Sequence, residues 1–431
     1  MTVSQTTVER PERAAPRLLL VALVVLLFFA WGFATVLLDS LVPKLKSVFA
    51  LSYTEVLLTQ FSFFVGYFIF SIPAGFVLSR IGYMRSAILG LVVMVCGCLL
   101  FSPAAASGLF SAFLLALFVM SAGITLLQVV ANPFIAELGP ESSSSSRLTL
   151  AQAFNSLGTT IGPWVGAILI LHGSATIDAA HLSPAALAAA RITQAHAVLL
   201  PFMIIAAGLA VVAALFWLMR RSATPPVSAK LATLGAVWAL RDRPRLLLGA
   251  LAIFVYVGAE VSIGSIMTNF LMQPSTLGLV AERAGKLVSF YWGGAMIGRF
   301  AGSYVLRQIR PGLVLMACAI CACTLALVSS QSSGALAAYT LIAVGLFNSI
   351  MFPTIFALAS EGMGDETPNA SALLCMAIVG GAILPEITGA VADATRLATA
   401  LFVPAACYVW IAIYGVLTAN DFGLAPQSKP A

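Results

Sequence analysis

The chain has 431 residues, of which 61% are hydrophobic and 9% charged, and its mean hydropathy is +1.03. A soluble domain carries roughly 25% charged residues, so a water-soluble globular fold is excluded. The formal charge of +6 invites a polyanion partner. The basic residues other than Arg299, however, sit in the tails and in connections between apolar runs, which concerns membrane topology and not nucleic acid.

Twelve apolar segments begin near residues 18, 54, 86, 109, 148, 195, 246, 284, 311, 334, 369 and 397. About 20 such residues cross a bilayer. Only helices or closed barrels satisfy their backbone there, and these runs lack the alternation of barrel strands. The expectation is an all-α integral membrane protein with twelve transmembrane helices. The run after Arg17 is too long for a signal-peptide core and lacks a small-residue cleavage site, so it reads as the first span. With the amino terminus in the cytoplasm, Arg10, Arg13, Arg17, Arg80, Arg85, Arg147, the cluster from Arg220 to Arg245, Arg307, Arg310 and Lys429 lie inside. Lys44, Lys46, Arg191, Arg283, Lys286 and Arg396 lie outside. That bias places both termini in the cytoplasm of a multi-pass inner-membrane protein.

The first span continues into "AWGFATVLLDSLVPKL" (30–45), which carries a lone carboxylate, Asp39. A charge inside such a helix costs between ~3 and ~15 kcal/mol depending on reference state. Gly32, Thr35, Val36, Asp39 and Pro43 share one face, small and polar enough to point inward. A carboxylate there can carry a proton or help hold Na⁺, the one transient metal contact expected. The other reading is a structural Asp that caps or pairs.

Further along, "ITLLQVVANPF" (124–134) sets Thr125, Gln128 and Asn132 at spacings of three and four, and "LAQAFNSLGTTIGP" (150–163) does the same with Gln152, Asn155 and Thr159. Buried amides are costly unless bonded. Groups with both donors and acceptors suit a polyhydroxylated ligand; the alternative is glue between helices. The Pro-containing basic stretch 220–245 divides the chain, and "LATLGAVWAL" within it reads as a short amphipathic helix on the inner leaflet. In "YVGAEVSIGSIMTNFL" (256–271) Ser262, Ser265 and Asn269 share a face. Glu260 lies out of phase with Asn269, and Arg299 in the eighth span is at a depth to neutralise it as a structural or gating ion pair. Trp292, whose indole can stack on a sugar ring, and Asn348 are further cavity candidates. Glu386 has no assigned partner. Cys96, Cys98, Cys318, Cys321 and Cys323 sit in apolar helices without His or carboxylate companions and read as packing residues, not a metal site.

The two halves echo each other. "FFVGYFIFSIPAGFVLSR" (63–80) aligns without gaps to "FYWGGAMIGRFAGSYVLR" (290–307), and "NPFIAELGPE" (132–141) pairs with "FPTIFALASE" (352–361). Two parallel six-span halves are the internal symmetry of the major facilitator fold, with substrate near the midplane between them. The division is a tail at 1–17, a half at 18–219, a linker at 220–245, a half at 246–418 and a tail at 419–431.

"GFVLSRIGYMR" (75–85) resembles the signature of this superfamily's loop between second and third spans, with Ser79 where the pattern has an acid. Gly75, Arg80, Arg85 and Arg147 are the expected cytoplasmic gate-loop residues. "WGFATVLLDSLVPKLK", "VVANPFIAELGPESSSSSRLTLAQAFNSLGTTIGP", "FVYVGAEVSIGS", "YWGGAMIGRFAGS" and "MFPTIFALASEGMG" resemble the fucose permease and glucose/galactose transporter branch, over residues 25 to 418. The resemblance implies that Asp39 couples the cation and that Gln152 and Asn155 face the sugar. It also implies a second acid in the fourth span, where this chain has Gln128; this departure resembles the glucose/galactose members, some of whose relatives are sodium-coupled.

The expected function is a proton- or sodium-coupled symporter importing glucose or galactose by alternating access. Sugar is held by Gln128, Asn132, Gln152, Asn155, Asn269, Trp292 and Asn348. Alternatives are a fucose or N-acetylhexosamine symporter, a drug or sugar exporter, or a non-transporting sensor. No enzyme activity, cofactor or nucleic-acid partner is expected, and the unit is a monomer in the lipid bilayer.

Overall fold

Each of the twelve apolar segments holds a helix, and no strand occurs among the described residues. The computed structural model describes residues 14–49, 53–107, 109–166, 199–221 and 234–420; the side chains at 14–17, 36–49, 53–60, 62, 163–166, 199–201, 234, 281 and 282 lie outside that description.

The first span is Ala14–Phe49, and the second and third run through Tyr53–Ser107. The fourth to sixth are Phe110–Glu137, Ser144–Gly166 and Leu199–Leu218. The short linker helix Leu234–Ala239 precedes the seventh to ninth spans, Pro244–Met272, Ala281–Gln308 and Pro311–Gln331. The tenth is broken into Gly334–Asn348 and Met351–Ser360, and the eleventh into Thr367–Met376 and Gly380–Ala394. The twelfth is Leu397–Ala400 followed by Phe402–Ala419. Among the described residues, eight stretches are apolar and long enough by themselves to cross a bilayer, one of which, Phe63–Ser107, holds two spans. The fifth and eighth are not among them, because they carry the polar residues of the interior, and the sixth enters only as the shorter apolar helix Phe202–Leu218.

Local chemistry sets the breaks. Gly82 separates the second and third spans with φ 75° and ψ 174°, a conformation open almost only to glycine. Pro353 has no amide to donate to the Ser349 carbonyl one turn back, so the tenth span breaks there and Pro353 sits in the first turn of a new helix, where the missing donor costs little. Its repeat counterpart Pro133 likewise leaves the Val129 carbonyl without its helical donor.

The halves are pseudo-symmetric in their crossings. A Cβ on Gly32 would lie 2.4 Å from the Asn155 carbonyl oxygen, and one on Gly158 2.4 Å from that of Phe29, so the first and fifth spans cross in close contact. The seventh and eleventh repeat this, with Gly380 against Phe254 and Gly258 against Leu384. Between halves, the fifth span packs on the eighth and the second on the eleventh. The seam is bonded at the end that carries the 138–143 and 361–366 loops. Ser146 donates to the Ser303 carbonyl (2.5 Å), Arg307 Nε donates to Ser146 Oγ (3.1 Å), and the Gly362 amide donates to Glu141 Oε1 (3.1 Å). Ser371 donates to the Val129 carbonyl that Pro133 freed (2.7 Å).

Candidate functional site

Near mid-span the two halves enclose a cavity of about 200 Å³. The first half contributes Trp31, Gly32 and Thr35, then Phe63, Phe64 and Tyr67, then Gln128, and finally Gln152, Asn155 and Thr159. The second contributes Tyr256, Val257, Glu260, Val261, Arg299, Phe352 and Ile378. A larger cavity of about 470 Å³ lies among the seam loops, lined by Gly139, Glu141, Gly362 and Gly364. The smaller one is the better candidate, because carboxamides, aromatic rings and an acid–base pair converge on it.

The polar wall is positioned by bonds among the helices. Gln128 Nε2 donates to the Tyr67 hydroxyl (2.9 Å), which leaves Gln128 Oε1 buried without a partner. Asn155 Nδ2 donates to the Phe28 carbonyl (2.9 Å), across the crossing that Gly32 and Gly158 make close. Gln152 reaches Asn132 Oδ1 at a long 3.4 Å, and Asn132 Nδ2 has no partner. Asn132 is fully buried behind the wall and is not a lining residue.

The predicted second-half residues are placed differently. Asn348 is fully buried, donating from Nδ2 to the Tyr291 hydroxyl (2.8 Å). Asn269 and Trp292 are exposed and do not line this cavity; Trp292 meets Tyr291 edge-on at 5.0 Å. Ser262 is buried and accepts from Thr388 (3.1 Å), and Ser265 is exposed. It is Glu260, on the other face of the seventh span, that lines the cavity.

Glu260 and Arg299 share the cavity, but their charged atoms do not form an ion pair. Arg299 Nε donates to the Ser349 carbonyl (3.0 Å), the group that Pro353 leaves free at a helix C-terminus, where a cation is favoured. Its Nη1 crosses the seam to Ser156 Oγ. Glu260 instead accepts from the Tyr256 hydroxyl (2.8 Å).

Position 39 follows Thr35 by one turn on the same face of the first span, and the Asp39 side chain lies outside the described residues. Of the expected gate-loop residues, Gly75 is buried, Arg85 is exposed, and Arg80 is exposed with its guanidinium 5.4 Å from the Phe76 ring centre. Arg147 is inserted among the last carbonyls of the fourth span, donating to Ile135 (3.2 Å), Pro140 (2.9 Å) and Ala136. The aromatic wall of Trp31, Phe63, Phe64, Tyr67 and Phe352 was missed by the sequence reading, since a ring facing lipid and a ring facing a ligand look alike in an apolar run.

A bundle of twelve spans in two related halves around a polar central cavity is the architecture of a solute transporter. The model of the Major Facilitator Superfamily matches residues 20–385, and the chain belongs to that superfamily. It is 46% identical over 398 residues to a glucose/galactose transporter of Brucella abortus biovar 1 (strain 9-941), covering 91% of this chain and 92% of the relative. It is 35% identical over 406 residues to the L-fucose-proton symporter of Escherichia coli (strain K12), covering 91% of each. The crystal structure of the superfamily transporter FucP in the outward conformation superposes with a TM-score of 0.86 at 33% identity, covering 94% of this chain and 99% of FucP.

Proposed function

We propose that this protein is a cation-coupled symporter that imports a hexose such as glucose or galactose by alternating access. The observation that carries the reading is the central cavity, with Gln128, Gln152 and Asn155 on one wall and aromatic rings beside them. Carboxamides match hydroxyls that both donate and accept, and rings stack on the apolar face of a sugar. The names of the relatives agree with this chemistry.

In this account Asp39 couples the cation, H⁺ or Na⁺. The halves are 18–219 and 246–418, joined by the 220–245 linker, with cytoplasmic tails at 1–17 and 419–431. The protein works as a monomer in the bacterial inner membrane, catalyses no reaction and uses no cofactor. The loops at 138–143 and 361–366 are then cytoplasmic, and the bonds across the seam close that side. Gly75, Arg80, Arg85 and Arg147 shape the same gate.

Counterflow in proteoliposomes tests the substrate class. Vesicles loaded with unlabelled glucose or galactose should draw in the labelled sugar transiently, and fucose and N-acetylglucosamine complete the panel. Exchange of none of these sugars would remove the reading.

A further inference from the structure

Among the described residues lining the central cavity, Glu260 is the one carboxylate and Arg299 the one permanent charge. Tyr256, one turn before Glu260, has a single hydroxyl hydrogen and two acceptors in range. These are Glu260 Oε1 at 2.8 Å and the main-chain oxygen of Asn348 at 3.0 Å. One hydrogen cannot serve both at full strength. With Glu260 ionised, the fully buried Asn348 loses its share of the Tyr256 hydrogen, which is costly in a low-dielectric interior. With Glu260 protonated the chain closes: the carboxylic acid donates to the Tyr256 oxygen, and Tyr256 donates to Asn348.

The surroundings point the same way. Arg299, the natural counter-charge, acts on Glu260 only through space, because its Nε donates to the Ser349 carbonyl and its Nη1 to Ser156 on the opposite half. Among the described residues the remaining titratable neighbours are phenols. Tyr291 of the eighth span donates to the Glu260 carbonyl at 3.4 Å, Tyr408 comes from the twelfth span, and Tyr67 stands across the cavity. None supplies a positive charge.

We propose that Glu260 is a proton-binding residue of the transport cycle, holding a proton while Arg299 bridges to Ser156 and releasing it when the halves part and Arg299 pairs with the carboxylate. In that step the O–H bond breaks heterolytically, the proton passes to water in the cavity, and the electron pair stays on Glu260 beside the guanidinium. The Asn348–Ser349 segment links this event to the break in the tenth span, because Tyr256 and Arg299 bond its two successive carbonyls. The proposal rests on the reading of the chain as a cation-coupled transporter and adds a site to it.

Infrared difference spectra of the purified full-length protein read the protonation directly. The wild type should show a protonated-carboxyl C=O band, shifted by deuterium exchange, that is lost in Glu260→Gln. Ser156→Ala, which frees Arg299, should weaken the band at the same pH with Glu260 still in place. In proteoliposomes Glu260→Gln should lose proton-driven accumulation to the level of a gradient-free control while hexose counterflow remains measurable. An identical carboxyl band in wild type and Glu260→Gln, or full accumulation by Glu260→Gln, overturns the proposal. A wild type that shows the band yet exchanges no hexose overturns the transport reading instead and leaves the protonated Glu260 standing.

Discussion

Gln152 and Asn155 sit one turn apart on the same face of the fifth span, yet their amides have different obligations. Asn155 ties the first span through the Phe28 carbonyl at 2.9 Å, whereas Gln152 makes only a 3.4 Å contact with Asn132. Losing one buried amide–hydroxyl bond costs about 1 to 3 kcal/mol. Gln152→Ala should therefore weaken hexose binding by roughly five- to 150-fold in calorimetric titration, with thermal unfolding unchanged. Asn155→Ala should weaken binding by a similar factor and also lower the melting temperature. Wild-type affinity in both would move the sugar elsewhere. For Asp39, the proposed coupling role predicts that Asp39→Asn abolishes gradient-driven accumulation and leaves exchange intact, because on that proposal it removes the cation's carboxylate and not the sugar's amides. The fifth-span side chains were legible because a spacing of three and four puts Gln152, Asn155 and Thr159 on one face, and all three line the cavity. The seventh span was ambiguous for the same reason. Polar groups stand on two of its faces, and periodicity alone does not say that Glu260, and not Ser265 and Asn269, points inward. Nor did it show that Arg299 would prefer a main-chain carbonyl to a carboxylate.

Among elements, the paired prolines do more than mark bends. Pro353 frees the Ser349 carbonyl for Arg299, and Pro133 frees the Val129 carbonyl for Ser371 of the other half. Both prolines were visible in the sequence repeat; the partners of their orphaned carbonyls were not, because backbone acceptors carry no sequence signature. Pro353→Ala restores an amide able to bond Ser349, an interaction worth about 0.5–1.5 kcal/mol. The expected result is a higher melting temperature and slower counterflow, since the break becomes harder to reshape. Gly82 gives a cleaner test of backbone conformation. A Cβ there meets no neighbour within 4 Å, so the cost of Gly82→Ala is conformational alone. Unfolding in detergent should register a loss of about 1–3 kcal/mol, with hexose affinity unchanged.

For the molecule as a whole, the fold was legible from apolar run length and the internal repeat, which together gave twelve spans in two halves. The conformation was not, because it depends on which bonds form across the seam. Here Ser146, Arg307, Glu141 and Ser371 join the halves at one end, while the central cavity stays open between them. A transporter of this design has to break those bonds to expose its cavity on the other side, and the coupled cation is what ties that motion to uphill uptake. Accumulation of labelled glucose and galactose by wild-type proteoliposomes, with an inward proton or sodium gradient and with none, tests this most directly. The account predicts that one of the gradients drives sugar above its external concentration and that dissipating it returns the sugar to equilibrium. Sugar that equilibrates equally fast and to the same level with either gradient or none would contradict coupled transport.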